Sequence, residues 1–147
     1  MKIAVIHGPN LNLLGTREPE VYGKKGIEKI NSEIKSKAED LEIEIEIFQS
    51  NHEGEIVDFI QDGYDEFAGI VINPAGLTHY SIVLRDALVA VRLPVVEIHI
   101  SNIYQREEFR HKSVIAPIAV GQISGLGPQG YLYALEAMVN LIKKGNL

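Results

Sequence analysis

Gly69-Ile70-Val71-Ile72-Asn73 runs directly into Pro74-Ala75-Gly76. The run is apolar almost throughout and has no polar alternation. A strand of that kind has no wet face, so it belongs in the middle of a sheet covered on both sides. Upstream, Lys2 to His7 is a second such run, ended by Gly8-Pro9-Asn10. A long polar loop, Leu11 to Lys25, follows it, and loops of that length in small domains tend to carry function. Ile27, Ile30, Ile34 and Ala38 then recur at helical spacing, which predicts a helix from Ile27 to Asp40. Glu42 to Gln49 alternates Glu with Ile, the pattern of an edge strand with one solvated face. A second helix is predicted from Glu53 to Tyr64.

Downstream, Thr78 is the expected N-cap of a third helix ending near Arg92. Pro94 to Ile98 reads as the fourth strand, Ser113 to Val120 as the fifth, and Gln129 to Lys144 as the last helix. Strands alternating with helices predict an α/β fold: a flavodoxin-like three-layer sandwich with a five-stranded parallel sheet and right-handed crossovers. No linker, repeat or low-complexity tract interrupts the pattern, so residues 1–147 are read as a single domain.

Composition narrows the function classes. Apolar residues make up 46% of the chain, enough for one sizeable core, and no run reaches membrane-span length. The opening Met1-Lys2-Ile3-Ala4-Val5-Ile6-His7-Gly8-Pro9 lacks the pattern of a signal peptide. With no cysteine, thiol nucleophiles and thiolate metal sites are excluded, and a cytoplasmic location is expected. The net charge of −6 opposes nucleic acid and anionic membrane, so neither is expected as a partner. A local arginine cluster can still bind a small anion.

In open parallel sheets, ligands bind beyond the carboxyl ends of the strands. Asn10, Arg17 and Tyr22 follow strand one. Asn73 and His79 follow strand three. His99, Ser101, Arg106 and Arg110 follow strand four. Each has a plain structural reading. Asn10 and Asn73 suit turns, and Arg17 suits a solvated loop. Tyr22 can anchor its loop, and His79 can be a first-turn helix residue. Arg106, Glu107, Glu108 and Arg110 can form a surface ion-pair network of little energetic weight. His7 and His111 read as structural.

His99 stands out because the chain turns from buried to polar there, and an imidazole can exchange a proton near neutral pH. Glu97, two positions earlier on a strand, shares its face and can fix its tautomer. Arg17 and Tyr22 make chemical sense together, since a guanidinium favours tyrosinate and turns a weak base into a useful one. Spacing within a loop does not show that they touch.

Gly125-Leu126-Gly127-Pro128-Gln129-Gly130 matches a dinucleotide-binding glycine pattern. The second strand and the acidic residue such a site needs are missing, so it reads as a tight turn into the last helix. The five histidines show no metal-binding spacing, so no metal is expected. A receiver-type module would need acidic residues after strand one, where the chain has His7-Gly8-Pro9-Asn10. A flavin-binding module of the same fold is the other alternative to an enzyme.

Several blocks in order resemble one family across essentially the whole chain. Gly8-Pro9-Asn10-Leu11-Asn12-Leu13-Leu14-Gly15, Arg17-Glu18-Pro19 and Val21-Tyr22-Gly23 resemble the opening of type II 3-dehydroquinate dehydratases. Asn73-Pro74-Ala75-Gly76 with Thr78-His79 and Leu84-Arg85-Asp86 resembles their second block. Glu97-Ile98-His99-Ile100-Ser101-Asn102 with Arg106-Glu107-Glu108-Phe109-Arg110 resembles their third, and Gly125-Leu126-Gly127 their last turn. Ala75-Gly76-Leu77 and Tyr80 depart from the usual residues beside the presumed pocket.

The resemblance implies one catalytic domain that removes water from 3-dehydroquinate to give 3-dehydroshikimate, with neither metal nor organic cofactor. It implies Tyr22 as the base and Arg17 as its activator. Asn10 would hold a water at the enolate oxygen, His99 would be the general acid, and Glu97 would orient His99. It assigns the substrate carboxylate to Asn73 and the Ile100-Ser101 segment. It assigns ring hydroxyls to His79 and Arg110, and a closing loop to the vicinity of Arg106. It implies a homododecamer, a tetramer of trimers, in which Asp86 reaches a neighbouring subunit's site. The long loop carrying Arg17 and Tyr22 is expected to be mobile without ligand.

Overall fold

The computed structural model describes residues 1–16, 20 and 26–145. Five parallel strands form one sheet: β1 (Lys2–His7), β2 (Glu44–Gln49), β3 (Gly69–Asn73), β4 (Val95–His99) and β5 (Gly121–Ser124). Their spatial order is β2-β1-β3-β4-β5, so the edge position expected of the Glu/Ile strand is met and β3 lies at the centre. Among the described residues four helices connect and cover them: α1 (Ile27–Asp40), α2 (Glu53–Asp62), α3 (Ile82–Val91) and α4 (Gln129–Lys144).

The sheet separates two cores. On one face Ile30 and Ile34 of α1 and Tyr131, Ala134, Leu135 and Met138 of α4 pack on Ile3, Val5, Val71 and Ile98. On the other, Ile56 and Ile60 of α2 and Leu84 and Leu88 of α3 pack on Ala4, Ile6, Ile70 and Ile72. Successive residues of β1 and β3 thus serve opposite cores, which is why these strands read as unbroken apolar runs.

Some elements differ from the expectation. The fifth strand is not Ser113 to Val120. That segment contains a short 3₁₀ turn, Ala116–Ile118, and the chain enters the sheet only where the Val120 N–H reaches the Val95 carbonyl at 2.8 Å. Two features forbid a ladder earlier. Pro117 has no N–H to give. Ser113 Oγ also takes the N–H groups of Ile115 and Ala116, at 3.1 and 2.8 Å, and curls the backbone. His111 therefore precedes a turn and does not begin a strand. Its Nε2 lies 3.0 Å from the Arg106 carbonyl.

The cap of α3 is Ser81, whose Oγ accepts from the Leu84 N–H at 3.0 Å, and not Thr78, which lies in a 3₁₀ turn over Ala75–His79. Strand β2 starts two residues late because Glu42, at φ 55°, still belongs to the turn that ends α1. The supposedly polar loop begins with a 3₁₀ turn, Leu11–Leu13, and Leu11 and Leu14 are buried in the first core.

Candidate active site

The carboxyl ends of β1, β3 and β4 meet over a pocket of about 230 Å³. Two of these ends are in direct contact. His7 and Asn73 are register partners, and the Gly8 N–H donates to the Asn73 carbonyl at 2.8 Å. Gly8 has no substitute here, because a Cβ would sit 2.5 Å from the Pro74 carbonyl oxygen. The close approach brings the two turns together as adjacent walls.

Asn10 lines one wall. It sits at φ 70°, a left-handed conformation that Asn tolerates better than most residues, and its N–H donates to Asn51 Oδ1 at 2.9 Å. Leu11, Leu13 and Leu14 add an apolar surface. From β3 come Asn73, Ala75, Gly76 and His79. From the end of β4 come His99, Ile100, Ser101, Ile103, Arg106 and Arg110. The turn readings of both asparagines hold as well: Asn73 Oδ1 accepts the Ala75 N–H at 3.1 Å.

His99 is almost fully buried and Glu97 completely so. His99 Nε2 donates to Glu97 Oε1 at 2.6 Å, the shared-face contact that their spacing on a strand predicts. Thr78 Oγ1 donates to the same carboxylate oxygen. Ser113 Oγ lies 2.9 Å from both carboxylate oxygens. Burial pushes the Glu97 carboxyl up, but its bond to His99, the charge of that ring and the two hydroxyls outweigh this and hold it below the usual carboxylate range. The buried charge is thereby satisfied, which is the condition for tolerating one. Because Nε2 is bound to Glu97, Nδ1 is the nitrogen His99 has for the pocket.

His79 lies beside it, with ring centroids 6.5 Å apart and planes at 17°. Its Nδ1–H donates to the Lys112 carbonyl at 2.7 Å. Burial lowers its pKa, the Lys112 bond opposes this, and the neighbouring His99 and Arg110 charges lower it again. The neutral ring therefore presents Nε2 as a hydrogen-bond acceptor. Arg110 Nε donates to Glu107 Oε2 at 2.8 Å, and Arg106 Nε lies 3.8 Å from the same oxygen. Arg106 and Arg110 thus belong both to the ion-pair network and to the pocket wall. Two guanidinium groups give this pocket a local positive field within an acidic chain.

The glycine pattern near the C-terminus holds the β4 end. The Gly125 N–H donates to the His99 carbonyl at 3.2 Å and the Gly127 N–H to the Ile100 carbonyl at 3.0 Å. Ser124 Oγ donates to the Ser101 carbonyl at 3.2 Å. Gly125 and Gly127 both have positive φ, 89° and 64°, as this close bracing requires.

Arg17 and Tyr22 lie outside the described residues. Asp86 is not part of the pocket wall. It projects from α3, largely exposed, 3.7 Å from Arg85. Sequence reasoning missed Thr78 and Ser113 as partners of Glu97. Their side chains are ordinary for caps and turns, and only the crossovers deliver them to one carboxylate.

Comparisons with known proteins identify the family. The family profile described as Dehydroquinase class II matches residues 1–139. A 3-dehydroquinate dehydratase of Halothermothrix orenii is 72% identical over 145 residues, covering 99% of this chain and 98% of that protein. The crystal structure of a type II dehydroquinase from Butyrivibrio crossotus superposes with a TM-score of 0.92 at 49% identity, covering 94% of this chain and 97% of that one. A second, from Propionibacterium acnes, gives 0.91 at 40% identity, with 95% and 96% covered. Whole-length similarity of this order, in sequence and in backbone, places the chain in the class II dehydroquinase family.

Proposed function

We propose that this chain is a 3-dehydroquinate dehydratase, a hydro-lyase of the shikimate pathway that converts 3-dehydroquinate to 3-dehydroshikimate. The observation that carries the reading is the His99–Glu97 pair: an imidazole at the wall of a polar pocket, its far nitrogen tied to a buried, satisfied carboxylate. Such an arrangement supplies a proton from a fixed atom, Nδ1, to a group held in the pocket.

In this reading Tyr22, assisted by Arg17, removes a proton from the carbon beside the substrate ketone. The electron pair enters the carbonyl and an enolate forms. Asn10 holds a water against the enolate oxygen and limits the charge that builds there. When the enolate collapses, the carbonyl reforms, a carbon–carbon double bond appears and the carbon–oxygen bond breaks. His99 protonates the departing hydroxyl, which leaves as water. Glu97 keeps the ring oriented and balances its positive charge, and Thr78 and Ser113 keep Glu97 ionised. The reaction is redox-neutral and calls for neither metal nor organic cofactor.

Binding follows the same wall. Asn73 and the backbone at Ile100 and Ser101 take the carboxylate. The carbonyls of His99, Ile100 and Ser101 are engaged by the β5 turn, which fixes the backbone of this segment beside the pocket. His79 accepts a ring hydroxyl at Nε2, Arg110 donates to another, and Arg106 lies beside the closing segment.

The reading brings with it a single catalytic domain over residues 1–147, a cytoplasmic location and a homododecamer, a tetramer of trimers. Tyr80, Ile82, Val83 and Val89 expose apolar surface on and beside α3, the helix that carries Asp86, which suits a subunit contact bringing Asp86 to a neighbouring site. Sedimentation tests the assembly, and a monomer would refute it. For the activity, purified protein is mixed with 3-dehydroquinate and the ultraviolet absorbance of the conjugated enone is followed in the presence of a chelator. Absorbance should rise steadily, and a flat trace would refute the reading.

A further inference from the structure

The end of β2 has no part in the reaction above, yet it reaches the first wall of the pocket. His7 and Gln49 are the last register partners of β1 and β2, and the Ser50 N–H donates to the His7 carbonyl at 3.2 Å. The two strands therefore stop side by side, and the turns that follow them touch. Asn51 Oδ1 accepts the Asn10 N–H at 2.9 Å and a hydrogen of Gln49 Nε2 at 3.2 Å. Gln49 Nε2 also lies 3.4 Å from the Gly8 carbonyl oxygen.

The direction of each of these bonds is forced. A backbone N–H only donates, so the Asn51 atom that faces Asn10 is its carbonyl oxygen. That oxygen and the Gly8 carbonyl only accept, so Gln49 turns its NH₂ toward both. Asn10 itself sits at φ 70° and ψ −6°, in the left-handed region that costs an L-residue energy. Its backbone is held on both sides there. The N–H goes to Asn51, and the carbonyl accepts the Leu13 N–H at 3.0 Å. Its side chain makes no bond to the turn that follows, so the backbone sets the direction in which that amide leaves the chain. Asn10 lines the pocket, whereas Asn51 does not.

We propose that Asn51 is a positioning residue for the reaction: its carbonyl oxygen, oriented by Gln49, holds the Asn10 turn in the left-handed conformation that sets Asn10 in the pocket wall. The proposal rests on the dehydratase reading, in which Asn10 holds a water against the enolate oxygen. Charge builds on that oxygen only after the substrate has lost its proton. A misplaced Asn10 therefore weakens the transition state more than the bound substrate. The loss should lower kcat and kcat/KM together and leave KM nearly unchanged.

The test is steady-state kinetics on the full chain with 3-dehydroquinate. Asn51 is exposed, so its substitution removes no core volume. Asn51→Leu keeps the size of the side chain but cannot accept a hydrogen bond. It should lower kcat roughly fivefold, the order of one hydrogen bond's worth, with KM within about twofold of the parent. Asn51→Asp keeps an acceptor oxygen for both donors and should restore kcat to within about twofold of the parent. Asn10→Ala should lower kcat by itself, and adding Asn51→Leu to it should lower kcat no further, since both act through one residue. A merely structural role would lower stability in urea and leave kcat where it was. An unchanged kcat in Asn51→Leu overturns the proposal. So does an equal loss in Asn51→Asp, a loss that multiplies on top of Asn10→Ala, or an effect confined to KM. Turnover of the parent is measured first: an inactive parent counts against the dehydratase reading and this proposal together, whereas an active parent with an unaffected Asn51→Leu variant counts against the role of Asn51 alone.

Discussion

Buried neutral histidines make a protein sensitive to mild acid, and His7 gives that sensitivity a size. Its ring has no exposed surface, and burial lowers its pKa from 6.5 to about 4, against the small opposing effect of the Asn31 bond. Because the folded pKa lies below the unfolded one, the unfolded chain takes up the proton first. The stability linked to His7 is fully present above about pH 6.5 and is lost as the pH falls toward about 4. With these two values, linkage gives a loss of about 2 kcal/mol by pH 5 and about 3 kcal/mol by pH 4. Carboxylates contribute in the same range, so the effect has to be isolated by difference. His7→Asn keeps one donor and one acceptor but cannot titrate. Urea unfolding of the parent and the variant, at several values between about pH 7 and pH 4 and at equal protein concentration, gives two curves of stability against pH. The parent's curve should fall below the variant's slope by about 2 kcal/mol between pH 7 and pH 5. Parallel curves would refute the buried, neutral assignment of His7.

Tyr22→Phe should lower turnover at least about hundredfold while the far-ultraviolet circular dichroism stays unchanged, and full activity would remove Tyr22 from the role of base. Glu97→Gln keeps the size of the side chain but deletes the charge behind His99. Its kcat should fall about a hundredfold with KM little altered, and a kcat within twofold of the parent would argue against Glu97 as the orienting carboxylate. Gly8→Ala places a methyl 2.5 Å from the Pro74 carbonyl oxygen, a backbone atom that can yield only if the two turns separate. It should cost about 1–3 kcal/mol in urea unfolding and weaken substrate binding, and a variant as stable as the parent would contradict the close approach.

Much of the layout follows from local patterns. Helix α1 begins and ends at Ile27 and Asp40, where the helical spacing puts it, because Ile30, Ile34 and Ala38 fill one stripe. Strand β3 is central because no residue in it can face water. The same logic fails for 113–120. Its apolar residues serve a core, since Ile115 is fully buried, but burial is not pairing. A strand exists where a neighbour offers a ladder, and β4 offers one only opposite Gly121–Ser124.

The site divides in the same way. The sequence by itself determined which strand ends carry polar chemistry, and it placed Glu97 and His99 on one face, because strand periodicity is a local property of the chain. Only the tertiary structure decided what surrounds that pair. Thr78 and Ser113 reach Glu97 from 19 and 16 residues away, and Tyr131 reaches His7 across 124. Contacts of that range depend on crossovers and sheet register, which fix positions that no run of neighbouring residues encodes. They convert a histidine and a glutamate two positions apart into an oriented acid.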